Sequence, residues 1–183
     1  MLAYVFWHWR QAAVDREEYE RVLGGFHASL RDAPSPGFRR SWVWRVQGAP
    51  WLPEGTGYED WYLLDGSAAL DPLNEAAVTA SRQRAHDQAA RLVAGGTAGL
   101  YRLRVGEPSS AATRALWFGK PTGVAYADFY ATLERATAGR PFTLWTRQMV
   151  LGAAPEFCLQ GQGTVSLPVG ASLDVVSLSR VWS

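Results

Sequence analysis

Across its 183 residues the chain has one cysteine, one lysine, three histidines and no long apolar run. A single sulfur, Cys158, leaves no intrachain disulfide and no thiolate cage for zinc or an iron–sulfur cluster, and a reducing cytoplasm is the expected compartment. No stretch of 18 apolar residues is present, and the apolar start from Leu2 to Trp9 lacks a basic run before it and a small-residue cleavage site after it. It reads as a strand, so neither export nor membrane insertion is expected. Eighteen Lys+Arg against 17 Asp+Glu give a formal charge of +1, too balanced for a field that attracts nucleic acid or anionic lipid. No nucleic-acid or membrane partner is expected. Gly-x-x-x-x-Gly-Lys and Gly-x-Ser-x-Gly are missing, as are His-x-His, His-x-x-x-His and Glu-x-x-His pairs, so phosphate loops, hydrolase elbows and metal sites find no support. No cofactor or metal is expected.

Aromatic residues are plentiful, nine of them Trp. An indole brings a large apolar area and one N–H that needs a partner, so such residues fill wide cores or line pockets for flat ligands. Ala3 to Arg10 (AYVFWHWR) is dense in aromatic and β-branched residues without a turn former. Alternation puts Val5, Trp7 and Trp9 on one face of this strand and Tyr4, Phe6, His8 and Arg10 on the other. Asp15 followed by Glu17 and Glu18 opens a helix, with Tyr19, Val22, Leu23, Phe26 and Leu30 at helical spacing. Strands follow at 38–46 and 58–64. An Ala-rich helix is predicted from Pro72 to Ala94, stopped by Gly95-Gly96, and a fourth strand at 100–105. This is the β-α-β-β-α-β order of a ferredoxin-like unit.

The order then restarts. With Trp117 laid on Trp7, Phe129 and Leu133 fall on Tyr19 and Leu23 at the same offset of 110 residues. Thr143-Leu-Trp145 matches the strand of Trp42, and Val176 to Val181 closes this half as Leu100 to Val105 closes the first. Gln160 to Asp174 has no helical period, so the second half is expected to lack its second helix. The boundaries are residues 1–106 and 112–183, in one compact α+β unit.

Two such units in one chain resemble the dimeric α+β barrel superfamily, in which two four-stranded sheets pack face to face. The resemblance is architectural and spans nearly the whole chain, without a diagnostic catalytic motif. It implies functions ranging from cofactor-free monooxygenases and lactone isomerases to haem proteins and stress-induced proteins without known chemistry. Relatives that bind haem do so through a histidine of the C-terminal repeat, and this chain has no histidine after His86.

Two readings follow. One is a small-molecule-binding or stress-related barrel without catalysis. The alternative is a cofactor-independent monooxygenase or isomerase acting on a planar, aromatic, acidic substrate, which needs a base beside the indoles and a dry cavity. His8 is the candidate base, with Arg10, Trp42, Trp44 and Tyr62 as candidate ligand contacts in an inter-sheet cavity. The competing arrangement has Trp7 and Trp9 facing inward and His8 beneath a helix, bonded to backbone. Sheets filled inside by Trp and Leu with no cavity would count against the enzyme. His27 is expected as a partly buried edge residue, Cys158 as a buried inert thiol, and Glu17, Glu18, Glu59 and Asp60 as solvated acids. His86 and Asp87, adjacent on a helix, are not expected to pair. The fused repeat already supplies the sheet pairing that single-unit relatives gain by dimerising, so a monomer or a homodimer is compatible with it, and light scattering separates the two.

Overall fold

The computed structural model describes all residues except 150, 151, 164, 166 and 168–172, and the side chains of 80 and 81 are likewise left aside. Eight strands, β1 (Leu2–Arg10), β2 (Phe38–Gln47), β3 (Thr56–Leu64), β4 (Val93–Val105), β5 (Arg114–Phe118), β6 (Phe142–Arg147), β7 (Phe157–Gly161) and β8 (Leu173–Trp182), close into one antiparallel barrel in the order β1-β3-β2-β8-β5-β7-β6-β4. The first four strands follow one another around it as 4-1-3-2, and the last four repeat that order as β8-β5-β7-β6. Seams β2–β8 and β4–β6 join the halves. Because the sheet closes, β2 is not the edge strand that an open ferredoxin-like sheet would make it.

Helices α1 (Arg16–Asp32), α2 (Leu70–Ala77) and α3 (Ala80–Leu92) belong to the first half, and α4 (Tyr126–Thr137) to the second. Asp15 caps α1 by accepting from the backbone N–H groups of Glu17 and Glu18, as its position suggested. The single helix expected over 72–94 is two, broken at Val78 and Thr79. Gly95 and Gly96 do not stop a helix but lie within β4. A Cβ on Gly95 would come within 2.4 Å of the Trp9 ring, and one on Gly96 within 2.5 Å of the Phe6 ring, so these glycines let two aromatic rings of β1 lie flat across the neighbouring strand. The expectation of a loop in place of the second-half helix, over Gln160 to Asp174, falls in part on residues outside those described, 164, 166 and 168–172.

Alternation sorts the side chains into three cores. Inside the barrel are Trp7, Trp42, Trp44, Trp61, Trp117 and Trp145 with Tyr101, Cys158 and the aliphatics between them. Outside, α1, α2 and α3 cover Tyr19, Leu23, Phe26, Leu30, Tyr58 and Tyr62, while α4 covers Phe118, Phe129, Leu133 and Phe157. The indole interior forms a continuous set of edge and tilted contacts, including Trp7–Trp117 at 5.4 Å and Trp61–Trp145 at 5.0 Å between ring centroids.

One carboxylate is enclosed in this interior. Glu59 is completely buried and accepts hydrogen bonds from the indole N–H groups of Trp7, at 2.7 Å, and Trp61. Burial, only partly opposed by those two bonds, pushes its carboxyl up to about 7. Glu59 was expected to be solvated. β3 is instead buried on both faces, so Glu59 and Asp60 are each enclosed on opposite sides of one strand. Cys158 is buried as expected, with its thiol pushed up by the same loss of water.

A raised carboxyl means that, between the ordinary value of 4.5 and about 7, the native state holds a proton that the unfolded chain has released. Stability therefore falls as pH rises across that window and levels off above it. Glu59→Gln should remove this component, so the difference in unfolding free energy between variant and wild type should change by about 3 kcal/mol across the window. Urea titrations of both proteins at the two ends measure it; parallel pH profiles would count against a titrating Glu59.

Candidate functional site

The only carboxylate on the outer face of β3 organises a buried polar cluster between the barrel wall and α1. On this face Tyr4 pairs with Tyr62, Phe6 with Asp60 and His8 with Tyr58 across β1 and β3. Asp60 Oδ1 lies 3.0 Å from His8 Nε2, and Asp60 Oδ2 lies 3.1 Å from His27 Nε2 on α1. Tyr62 donates its hydroxyl to Asp60 Oδ2 at 3.0 Å. The far ring nitrogens meet hydroxyls: His8 Nδ1 is 2.6 Å from Tyr19 Oη, and His27 Nδ1 is 2.7 Å from Ser41 Oγ. An ionised carboxylate only accepts, so Nε2 of each imidazole carries a proton toward Asp60, while the far nitrogen accepts from its hydroxyl or, when protonated, donates to it. The result is a chain of exchangeable protons running Tyr19–His8–Asp60–His27–Ser41.

Aromatic stacking fixes the rings. His8 lies between Phe6 and Tyr58, with centroids 5.0 and 5.6 Å away, and His27 stacks on Tyr62 at 5.1 Å. His8 and His27 are wholly buried and Asp60 nearly so. Burial pushes the Asp60 carboxyl up, but the two imidazoles and their hydrogen bonds outweigh it and hold it well below the usual carboxylate range. Tyr62 goes the other way: burial, with the adjacent Asp60 charge, raises its hydroxyl well above the usual value. Among the described residues no group of three His, Cys, Asp or Glu is arranged to hold a metal ion; the two imidazoles close directly on the carboxylate oxygens.

This cluster forms the floor of a cavity of about 520 Å³ between the sheet and helices α1, α2 and α3. Its walls are mainly apolar, from Tyr4, Phe6, Leu23, Phe26, Leu73 and Val93, while His8, Asp60 and Tyr62 border it from below and Asp71, Asn74 and His86 add polar groups. That combination of an apolar cleft with convergent, perturbed ionisable groups is what a small-molecule site requires.

The sequence-derived candidates divide. His8 and Tyr62 both border the cavity. Trp42 and Trp44 lie on the opposite face of the sheet, inside the barrel, and do not line it. Arg10 spends its guanidinium on the carbonyls of Ala12 and Val14, at 3.3 and 2.6 Å, and is absent from the cavity lining as well. The inter-sheet cavity is corrected: the space between the two half-sheets is packed with indoles, Trp7 faces into it, and His8 lies beneath a helix, bonded to side chains rather than to backbone. The cavity that borders His8 and Tyr62 lies on the other face of the sheet, beneath the helices.

Sequence reasoning missed His27 and Asp60. His27 is completely buried, not an edge residue, and its position four and eight residues after Leu23 and Tyr19 is the signal that would have placed it on the same helical stripe. His86 and Asp87, though neighbours on α3, do touch, with His86 Nδ1 3.2 Å from Asp87 Oδ1.

No family model matches this chain, and no curated protein matches it by sequence. Its fold is matched by solved structures. A monooxygenase candidate from Lactobacillus acidophilus NCFM superposes with a TM-score of 0.56 at 13% identity, covering 98% of this chain and 93% of its own. A chlorite dismutase candidate gives 0.50 at 10% identity, covering 98% and 95%. An anthrone oxidase-like protein gives 0.49 at 9% identity, covering 97% and 91%. The chain therefore shares with the first two an α+β fold, here built around a closed eight-stranded antiparallel barrel. At such identities the likeness is one of fold.

Breaking the cluster at its centre should be costly. Asp60→Asn turns an N–H₂ toward groups that donate to the carboxylate, and a loss of about 3–5 kcal/mol at neutral pH is expected. A lowered native carboxyl contributes stability above its ordinary value of 3.8 and loses it as pH falls further. The gap between wild type and variant should accordingly narrow in acid, as followed by denaturant unfolding.

Proposed function

We propose that this protein binds a small, flat, mainly apolar molecule between the barrel and helices α1–α3 and transfers a proton on it, as an isomerase does, or as a cofactor-independent monooxygenase does when dioxygen follows. The observation that carries this reading is Asp60, ionised although buried, held between two imidazoles and a tyrosine at the floor of an apolar cavity. A core that needed only packing would be served by aliphatic residues, and burying an ionised group is expensive unless it is paired. Tyr62 is the group proposed to meet the ligand, taking its proton while passing its own to Asp60, and His8 and His27 support that relay through Asp60. Proton removal from an activated CH₂ leaves a carbanion. In an isomerase it is reprotonated elsewhere; in an oxygenase dioxygen converts the CH₂ to C=O with release of water, so that R₂CH₂ + O₂ gives R₂CO + H₂O.

The same proposal includes the origin of the barrel. The repeated 4-1-3-2 strand order supports a fusion of two ferredoxin-like units, residues 1–106 and 112–183, of which the first carries the polar floor beneath its helices. A homodimer is then not required for closure, because each half serves as the other's partner.

Proton transfer can be read without knowing the natural substrate. In D₂O the full chain should accelerate replacement of the ring C1 proton of 2-naphthol by deuterium, followed by proton NMR. His8→Gln should lose about 100-fold of that acceleration. If 2-naphthol binds and no exchange is catalysed, the site is a binding site without catalysis.

A further inference from the structure

The groups at the floor of the cavity are committed in a way that selects the ligand. Both nitrogens of His8 are engaged, by Tyr19 and by Asp60. Those of His27 are engaged by Ser41 and Asp60. Tyr62 has one hydroxyl proton and gives it to Asp60, so what remains toward an incoming molecule is the lone pairs of the Tyr62 oxygen and of the Asp60 carboxylate. The floor accepts hydrogen bonds and has no uncommitted donor. Charge points the same way. The cavity lining includes two carboxylates, Asp60 and Asp71, and no arginine or lysine.

From these two observations we infer that the cavity takes a neutral aromatic or enolic molecule whose hydroxyl donates a hydrogen bond to the Tyr62–Asp60 floor, and that it rejects the carboxylate analogue. The inference rests on the proposed ligand site and replaces the acidic substrate expected from sequence, for which a guanidinium was required inside the pocket. A carboxylate placed on this floor would set acceptor against acceptor and bring a negative charge beside Asp60, with no arginine or lysine in the lining to compensate it. A neutral hydroxyl supplies the missing donor, and its aromatic body covers Phe6, Phe26 and Leu73. An ammonium ligand fits less well, because its charge and its three N–H donors would lose their water among mainly apolar walls for the few acceptors of one floor.

The test is a comparison of matched ligands by isothermal titration calorimetry at neutral pH, with the full wild-type chain and 2-naphthol, 2-naphthoate and naphthalene-2-methylammonium. Naphthol should bind at least about tenfold more tightly than either charged analogue, and Tyr62→Phe should lower its affinity by about tenfold while leaving the others unchanged. Asp71→Asn, on the surface of α2, gives a second variant that leaves the floor intact; it should reduce the penalty against naphthoate. Naphthoate or the ammonium binding as tightly as naphthol to wild type would overturn the assignment of a neutral donor while leaving the cavity as a ligand site. If none of the three binds to a protein that circular dichroism shows to be folded, the site and the inference fall together.

Discussion

Closure of the barrel is the constraint from which the other features follow. Eight strands leave an interior just wide enough for side chains, and here indoles from β1, β2, β3, β5 and β6 fill it. Once that space is full, a ligand can reach the sheet only from outside, where the wall would face water unless helices cover it. Among the described residues the first half provides three helices for its wall and the second half one. The cavity lies under the three, where helices meeting a curved wall leave a gap that α1, α2 and α3 do not fill.

Strand β3 concentrates the electrostatics of the molecule. Successive residues Glu59 and Asp60 point to opposite faces, so two carboxylates are buried back to back across one layer of backbone. Their fates differ because their partners differ. Glu59 meets neutral indole N–H groups and is pushed toward protonation by desolvation, whereas Asp60 meets two imidazoles and stays ionised. Same chemistry, same degree of burial and opposite shifts make the neighbours, rather than depth, the deciding factor.

The Tyr–His–Asp–His–Ser chain has a further property that matters to function. Its two ends are hydroxyls, which donate or accept, and its middle is a carboxylate, so each imidazole stays hydrogen-bonded at both nitrogens whether neutral or protonated. Such an array tolerates a change of one proton at the cavity with little rearrangement of heavy atoms, which is the preorganisation that acid–base chemistry uses. Arg10, by contrast, is tied to the loop that enters α1 through the Val14 carbonyl, and contributes to the local fold.

Periodicity made much of this legible in advance. The two-residue repeat of AYVFWHWR divides β1 correctly into an indole face and a His8 face, and the helical stripe from Tyr19 to Leu30 is the face that α1 buries. Such patterns reflect local geometry, which each residue carries with it. Which face of β1 turns inward is not local: it depends on how the sheet curls and on the indoles arriving from strands more than 100 residues away, such as that of Trp117. The same applies to the acids. In sequence Glu59 and Asp60 look like an ordinary charged pair, and their burial arises only when β3 is enclosed by the barrel on one side and α1 on the other. The sequence by itself determined the order of elements and the two faces of each strand, because alternation and helical spacing are properties of a few consecutive residues. Only the tertiary structure decided that His8, His27 and Asp60 meet, since residues 19 to 52 positions apart are joined by the register of β1 on β3 and the seat of α1 above them.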